Sequence, residues 1–153
     1  MIIVKSICTY TLGITSTKEE LPKIDLDMSN SFHQLKLGPI TSSRLSIQTP
    51  WGQVEPKFMP EGVGPASFHL QSVVFSVFAD FSDWLICIFG NILLLAHDHA
   101  DAYVKLERVL DRCIERNVFF KVSKSWLGFD HANFFGYIVG ISVTSCPSRV
   151  RMA

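Results

Sequence analysis

Two aspartates in Lys23-Ile24-Asp25-Leu26-Asp27-Met28 are the first residues whose type and spacing could do chemistry. The segment alternates polar and apolar side chains. As a strand it turns Ile24, Leu26 and Met28 one way and Asp25 and Asp27 the other. A carboxylate on such a face can hold a hard divalent cation such as Mg²⁺, provided a second carboxylate converges on it from another element. Its bland alternative is an ordinary solvent-facing strand carboxylate. A second cluster, His97-Asp98-His99 with Asp101, has metal-ligand residue types. These residues stand just before an apolar helical pattern, so a polar loop capping a helix is the reading adopted. Phe134, Phe135 and Tyr137 could stack on bases, but in so apolar a chain they read as core.

The elements that must position these groups follow from periodicity. Arg44–Thr49 alternates and reads as a strand, and Pro50-Trp51-Gly52 as a turn. A Gly/Pro loop over 59–68 leads to a buried helix in which Phe68, Val73 or Val74, Val77 and Phe81 recur near helical spacing. Two apolar runs, Trp84–Phe89 and Ile92–Ala96, flank Gly90-Asn91, which is a hairpin signal with the turn at those two residues. The clearest helix spans Asp98–Asn117. Its apolar face is Leu106, Val109, Leu110, Cys113 and Ile114, it carries acids at the start and Arg112 and Arg116 near the end, and Asp101–Lys105 forms an i, i+4 pair. Val118–Val122 reads as a strand, Trp126-Leu127-Gly128 as a turn region, and residues 133–143 as a further strand. Antiparallel strands with helices packed on one face make an α+β two-layer domain.

Composition bounds the function classes. The 153 residues are 48% apolar and 18% charged, which excludes a disordered chain. Fourteen basic residues cancel fourteen acidic ones, and no Lys or Arg occurs from residue 58 to 104, which argues against a strong grip on phosphate backbones. Cys8, Cys87, Cys113 and Cys146 are widely spaced and form no C-x-x-C pair, so reduced thiols in an intracellular protein are expected. The opening residues lack the basic start and long apolar run of a signal peptide. The apolar stretch Val73–Ala96 is interrupted by Asp80 and Asp83. The unbroken part, 84–96, is shorter than the roughly 20 residues a membrane span needs, so no membrane insertion is expected.

Four segments resemble gypsy-like retroelement reverse transcriptases. Residues 26–35, LDMSNSFHQL, resemble L-D-L-x-x-G-Y-H-Q-I, and RLSIQTPWGQVEPKFMPEGVGPASF (44–68) resembles T-A-F-x-T-P-x-G…M-P-F-G-L-x-N-A-P-x-x-F. The stretch from Leu85 resembles the Y-x-D-D-I-L hairpin and its following helix, and FDHANFFGYIVG (129–140) resembles F-L-G-Y-I-V. The segments keep the family's order over residues 23–140, leaving 1–22 and 141–153 unassigned. The resemblance implies a polymerase-palm-like antiparallel sheet with helices on one face. It also implies an RNA-directed DNA polymerase in which carboxylates from the first segment and the hairpin hold Mg²⁺ against template, primer and deoxynucleoside triphosphate.

Residue by residue, Asp27 falls on the family's metal-binding, catalytic aspartate. Phe32 falls on the aromatic that senses the sugar, and Gln34 on its neighbouring substrate-side glutamine. The Y-x-D-D positions read Ile88-Phe89-Gly90-Asn91, so Gly90 and Asn91 stand where two aspartates are usual. Glu61 stands where an aromatic is usual in the family. No counterpart of the fingers, thumb or RNase H segments is legible. The expectation is a retrotransposon reverse-transcriptase fragment without polymerase activity, in which Mg²⁺ matters only if activity survives and exposed apolar surface favours self-association. The alternative is a non-catalytic remnant that binds protein or nucleic acid.

Overall fold

The computed structural model describes residues 22–129, 132–134, 137–139 and 143–145. The N-terminal segment through Leu21, Cys8, Phe135, Cys146 and most of the tail lie outside these residues.

Strand β1 is Lys23–Asp27. Helix α1 (Pro39–Arg44) precedes the hairpin β2 (Ile47–Thr49) and β3 (Gly52–Val54). Helix α2 (Ala66–Val77), strands β4 (Leu85–Ile88) and β5 (Asn91–Leu95), and helix α3 (His99–Arg116) follow. Strand β6 is Trp126–Phe129, and β7 (Ala132–Phe134), β8 (Tyr137–Val139) and β9 (Val143–Ser145) close the chain. The main sheet runs β4-β5-β1-β6, and β7-β8-β9 form a second sheet. Every pairing is antiparallel, as the α+β reading requires.

The alternation in β1 divides the core in two. On one face Ile24, Leu26 and Met28 join Leu85, Ile92 and Leu94 beneath Leu70, Val74 and Phe78 from the α2 region and Val109 and Cys113 from α3. Leu70, Ile92, Leu94 and Val109 are fully enclosed, and each such side chain stabilises by about 1.5–3 kcal/mol relative to exposure. On the other face Ile86, Ile88 and Leu93 pack with Phe134 and Val139. The aspartate face of β1 is therefore half-buried, not open to solvent as the strand pattern alone suggests.

Several boundaries differ from the sequence reading, each for a physical reason. Arg44, read as the first residue of a strand, instead ends α1, which has proline in its first helical turn. The α2 stripe is Ala66, Leu70 and Val74, continued by Phe78, while Phe68 is 79% exposed. The i, i+4 spacing of the small and aliphatic residues fixes the inward face. In α3 the inward residues are Ala102, Val109 and Cys113. Leu106 packs partly buried against the same core, while Leu110 and Ile114 face outward. Val118–Val122 makes no strand. Its Val118 N–H is used by the Cys113 carbonyl in the helix cap, and Phe120 forms only an isolated bridge with Met28. The strand is instead Trp126–Phe129, the segment read as a turn, because that segment reaches the free edge of β1.

Helix α3 ends as its sequence indicates. The Asp98 side chain accepts from the Asp101 backbone N–H at 2.7 Å, and Asn117 closes the other end in the left-handed region at φ 54°. Lys105 meets Asp101 at 2.7 Å and donates to the Leu95 carbonyl at 3.1 Å, tying α3 to β5. Arg112 reaches from α3 to the end of α2 and the segment after it. It grips Asp80 through two nitrogens at 2.9 and 2.7 Å and donates to the Val77 carbonyl at 2.6 Å. That grip holds the Asp80 carboxyl down to about 2. Cys87 and Cys113 are free thiols, both pushed up to about 12 by burial. Among the described residues no helix is long and apolar enough to cross a membrane.

Candidate functional site

The sheet brings β1 and the β4–β5 hairpin together at one end. Ile88 pairs with Asn91, so the two connecting residues are Phe89 and Gly90, one position earlier than the Gly90-Asn91 turn expected from sequence. Phe89 has φ 46° and Gly90 φ 93°. A type I′ turn needs positive φ at both central residues, and glycine takes the second without penalty. Phe89 is held in its unfavourable conformation by Gln71 of α2. The Gln71 side chain accepts from the Phe89 N–H and donates to the Cys87 carbonyl, each at 2.8 Å.

The one-residue shift decides what faces Asp27. Asn91 becomes a strand residue directly opposite Asp27 in the β1–β5 register. Directly opposed residues share a sheet face, so the Asp27 carboxylate and the Asn91 amide lie side by side at the hairpin end. Gly90 is joined to the same place by its carbonyl, which accepts from the Met28 N–H at 2.8 Å. In this register the end of the hairpin faces Asp27.

Three further residues complete the site without any local signal in the sequence. Lys124 places its Nζ 3.4 Å from Asp27 Oδ2. The Lys121 N–H donates to the Asp27 carbonyl at 2.7 Å, fixing the segment that carries Lys124. Ser31 packs over Gly90. Phe32 lies partly buried against the main core. The Gln34 amide donates to the Ser29 carbonyl at 2.5 Å and the Phe119 carbonyl at 2.8 Å, and its oxygen accepts from the Phe119 N–H at 2.9 Å. Gln34 thereby fastens the loop after β1 to the segment after α3.

Asp25 lies one pleat further in, opposite Leu93 on one side and Trp126 on the other. Its Oδ1 is buried with no hydrogen-bond partner. Burial first, and the Asp27 charge second, push its carboxyl up to about 6. The His97–Asp101 cluster acts as a helix cap, since the Asp101 carboxylate accepts from the His97 N–H at 2.9 Å.

These donors do not fit a pair of Mg²⁺ ions. One carboxylate, Asp27, faces the tip, its neighbour Asn91 is a neutral amide, and a lysine ammonium already lies against the carboxylate. Hard Mg²⁺ needs several anionic oxygens in a near-octahedral shell. Among the described residues no group of three His, Cys, Asp or Glu is placed to hold a metal.

No family model matches the chain. Its fold is similar to that of solved reverse transcriptases. Against the foamy viral protease-reverse transcriptase in complex with RNA/DNA hybrid the TM-score is 0.75 at 15% identity, covering 89% of this chain and 18% of that one. Against the same viral enzyme labelled dRH, in complex with double-stranded DNA, the values are 0.74, 17%, 88% and 24%. Against native prototype foamy virus protease-reverse transcriptase they are 0.71, 18%, 86% and 18%. The chain spans about a fifth to a quarter of the length of these proteins. This chain therefore carries a reverse-transcriptase-like α+β fold, an antiparallel sheet with helices on one face and a tight hairpin delivered to the end of its first strand.

Proposed function

We infer that this chain derives from the palm of a gypsy-like retroelement reverse transcriptase and has lost two-metal polymerase chemistry. The observation that carries the reading is the surroundings of Asp27. The residue opposite it is Asn91, the turn beside it ends in Gly90, and the cation against it is Lys124. The ammonium supplies one positive charge within the protein at the place where the ancestral site would have used a divalent ion. It cannot serve as a Lewis acid for a primer oxygen and a triphosphate together. Two of the solved proteins of similar fold are in complex with RNA/DNA hybrid and with double-stranded DNA. Template, primer and deoxynucleoside triphosphate are accordingly the ancestral partners. The net charge of zero gives this chain little electrostatic pull toward them.

The test is primer extension on a primed RNA template with Mg²⁺ or Mn²⁺. No extended product is expected, and template-dependent extension abolished by Asp27→Ala overturns the reading.

A second reading, a non-catalytic binding remnant, is favoured by large exposed apolar side chains on the β2–β3 hairpin and its flanks. Trp51 is 94% exposed, and Ile47 and Val54 more than half. Exposed apolar surface promotes association where it is contiguous. Concentration-dependent self-association in light scattering supports this reading, and a monodisperse monomer at roughly tens of micromolar counts against it.

A further inference from the structure

Position 90 is closed to any side chain. A Cβ built on Gly90 meets Ser31 Cβ at 2.9 Å and Ser31 Oγ at 3.1 Å, with Met28 Cβ at 3.5 Å. Non-bonded carbons settle at roughly 3.5–4.0 Å, so the first contact is a clash with a carbon that sits next to the backbone. Both sides of the contact are anchored. The hairpin is joined to β1 by the bond from Met28 N–H to the Gly90 carbonyl. Ser31 begins the short 3-10 turn Ser31–Gln34, which Gln34 fastens to Ser29 and Phe119. Neither strand end nor turn can move aside without breaking these bonds.

We propose that Ser31 is a steric lock on the hairpin tip, the positioning residue that forbids a carboxylate at position 90. The crossing has room for one Cβ. In this chain Ser31 supplies it and residue 90 must be glycine. The φ of 93° at Gly90 is a separate conformational demand. Only the part of the penalty that vanishes with Ser31 belongs to the lock. The lock itself rests on the close approach, while its bearing on cation binding rests on the palm reading.

The test is a double-mutant cycle on the full chain: wild type, Ser31→Gly, Gly90→Ala, and both together, followed by denaturant unfolding. Gly90→Ala is expected to lower the unfolding midpoint clearly in the wild type and by less than half as much in the Ser31→Gly background. Equal falls in the two backgrounds overturn the proposal. If Gly90→Ala alone yields no folded protein, recovery of folded protein by adding Ser31→Gly supports the lock and failure to recover overturns it. A second arm compares Gly90→Asp/Asn91→Asp with and without Ser31→Gly, read by Mn²⁺ paramagnetic broadening. Broadening at residues 27 and 91 only when Ser31→Gly is present supports the lock. Equal broadening without Ser31→Gly overturns it. If the stability cycle shows coupling and neither tip variant binds Mn²⁺, the lock stands and the palm reading fails.

Discussion

Replacing Asp25 by asparagine should make this protein more stable at neutral pH and flatten its response to acid. Asp25 is half-buried between Leu93 and Trp126 in the β1 ladder, with Oδ1 enclosed and unpartnered. Its carboxyl is raised from 3.8 to about 6, by burial first and by Asp27 second. The folded state therefore holds the proton more tightly than the unfolded chain. Below pH 3.8 both states are protonated and the contribution of Asp25 to stability is fully present. As pH rises through the window from 3.8 to about 6 the unfolded state ionises first, and that stability is lost. At about 1.4 kcal/mol for each tenfold in proton affinity the ceiling is about 3 kcal/mol. Solvent screening of a half-exposed carboxyl reduces this to about 1–2 kcal/mol. Denaturant unfolding of the wild type and Asp25→Asn from pH 4 to pH 8, a range set by the usual carboxylate titration, reads the effect as a difference. Other carboxylates, such as Asp80, cancel in that difference. The variant should gain about 1–2 kcal/mol on the wild type between the two ends of the range. Parallel profiles would refute the argument that burial of Asp25 controls this titration.

Two other perturbations test the packing. Leu70→Ala removes a side chain with no exposed surface from between α2 and the sheet, and should cost about 2–5 kcal/mol in chemical denaturation. A loss under 1 kcal/mol, well below the usual range, would mean that α2 does not seat as described. Asp98→Ala removes the acceptor for the Asp101 N–H and should cost about 1 kcal/mol. Faster amide exchange confined to the first turn of α3 is its signature, and unchanged exchange there would contradict the cap.

What the sequence makes legible is whatever depends on local pattern. The alternation of residues 23–28 is enough to place Ile24 and Leu26 inward, and the two apolar runs around residue 90 are enough for a hairpin. The same local logic misplaces the turn by one residue. Asparagine is the better left-handed residue by propensity, yet Phe89 occupies that conformation because Gln71, from another element, satisfies its backbone. Likewise Val118–Val122 has strand propensity, but β1 has one remaining edge and Trp126–Phe129 reaches it. The half-burial of Asp25 also depends on distant chain, since Phe134 and Val139 pack over that face of the sheet. At the site, Asp27 and the hairpin are readable through the family resemblance. Lys124 and Ser31 are not, because a salt bridge across most of the chain and a close approach between two turns leave no periodic trace.

We propose that Lys124, in place of a divalent cation, is the counter-charge of Asp27 at the hairpin end. Titrating Mn²⁺ into the isotope-labelled chain and following backbone amide signals tests it most directly, because paramagnetic broadening reports only nuclei close to a bound ion. No selective loss of the Asp27, Asn91 and Lys124 amide signals is expected as Mn²⁺ is raised, only weak uniform broadening of exposed acidic positions. Selective loss at Asp27 and Asn91 at low Mn²⁺, reversed by Mg²⁺ and absent in Asp27→Ala, would contradict it.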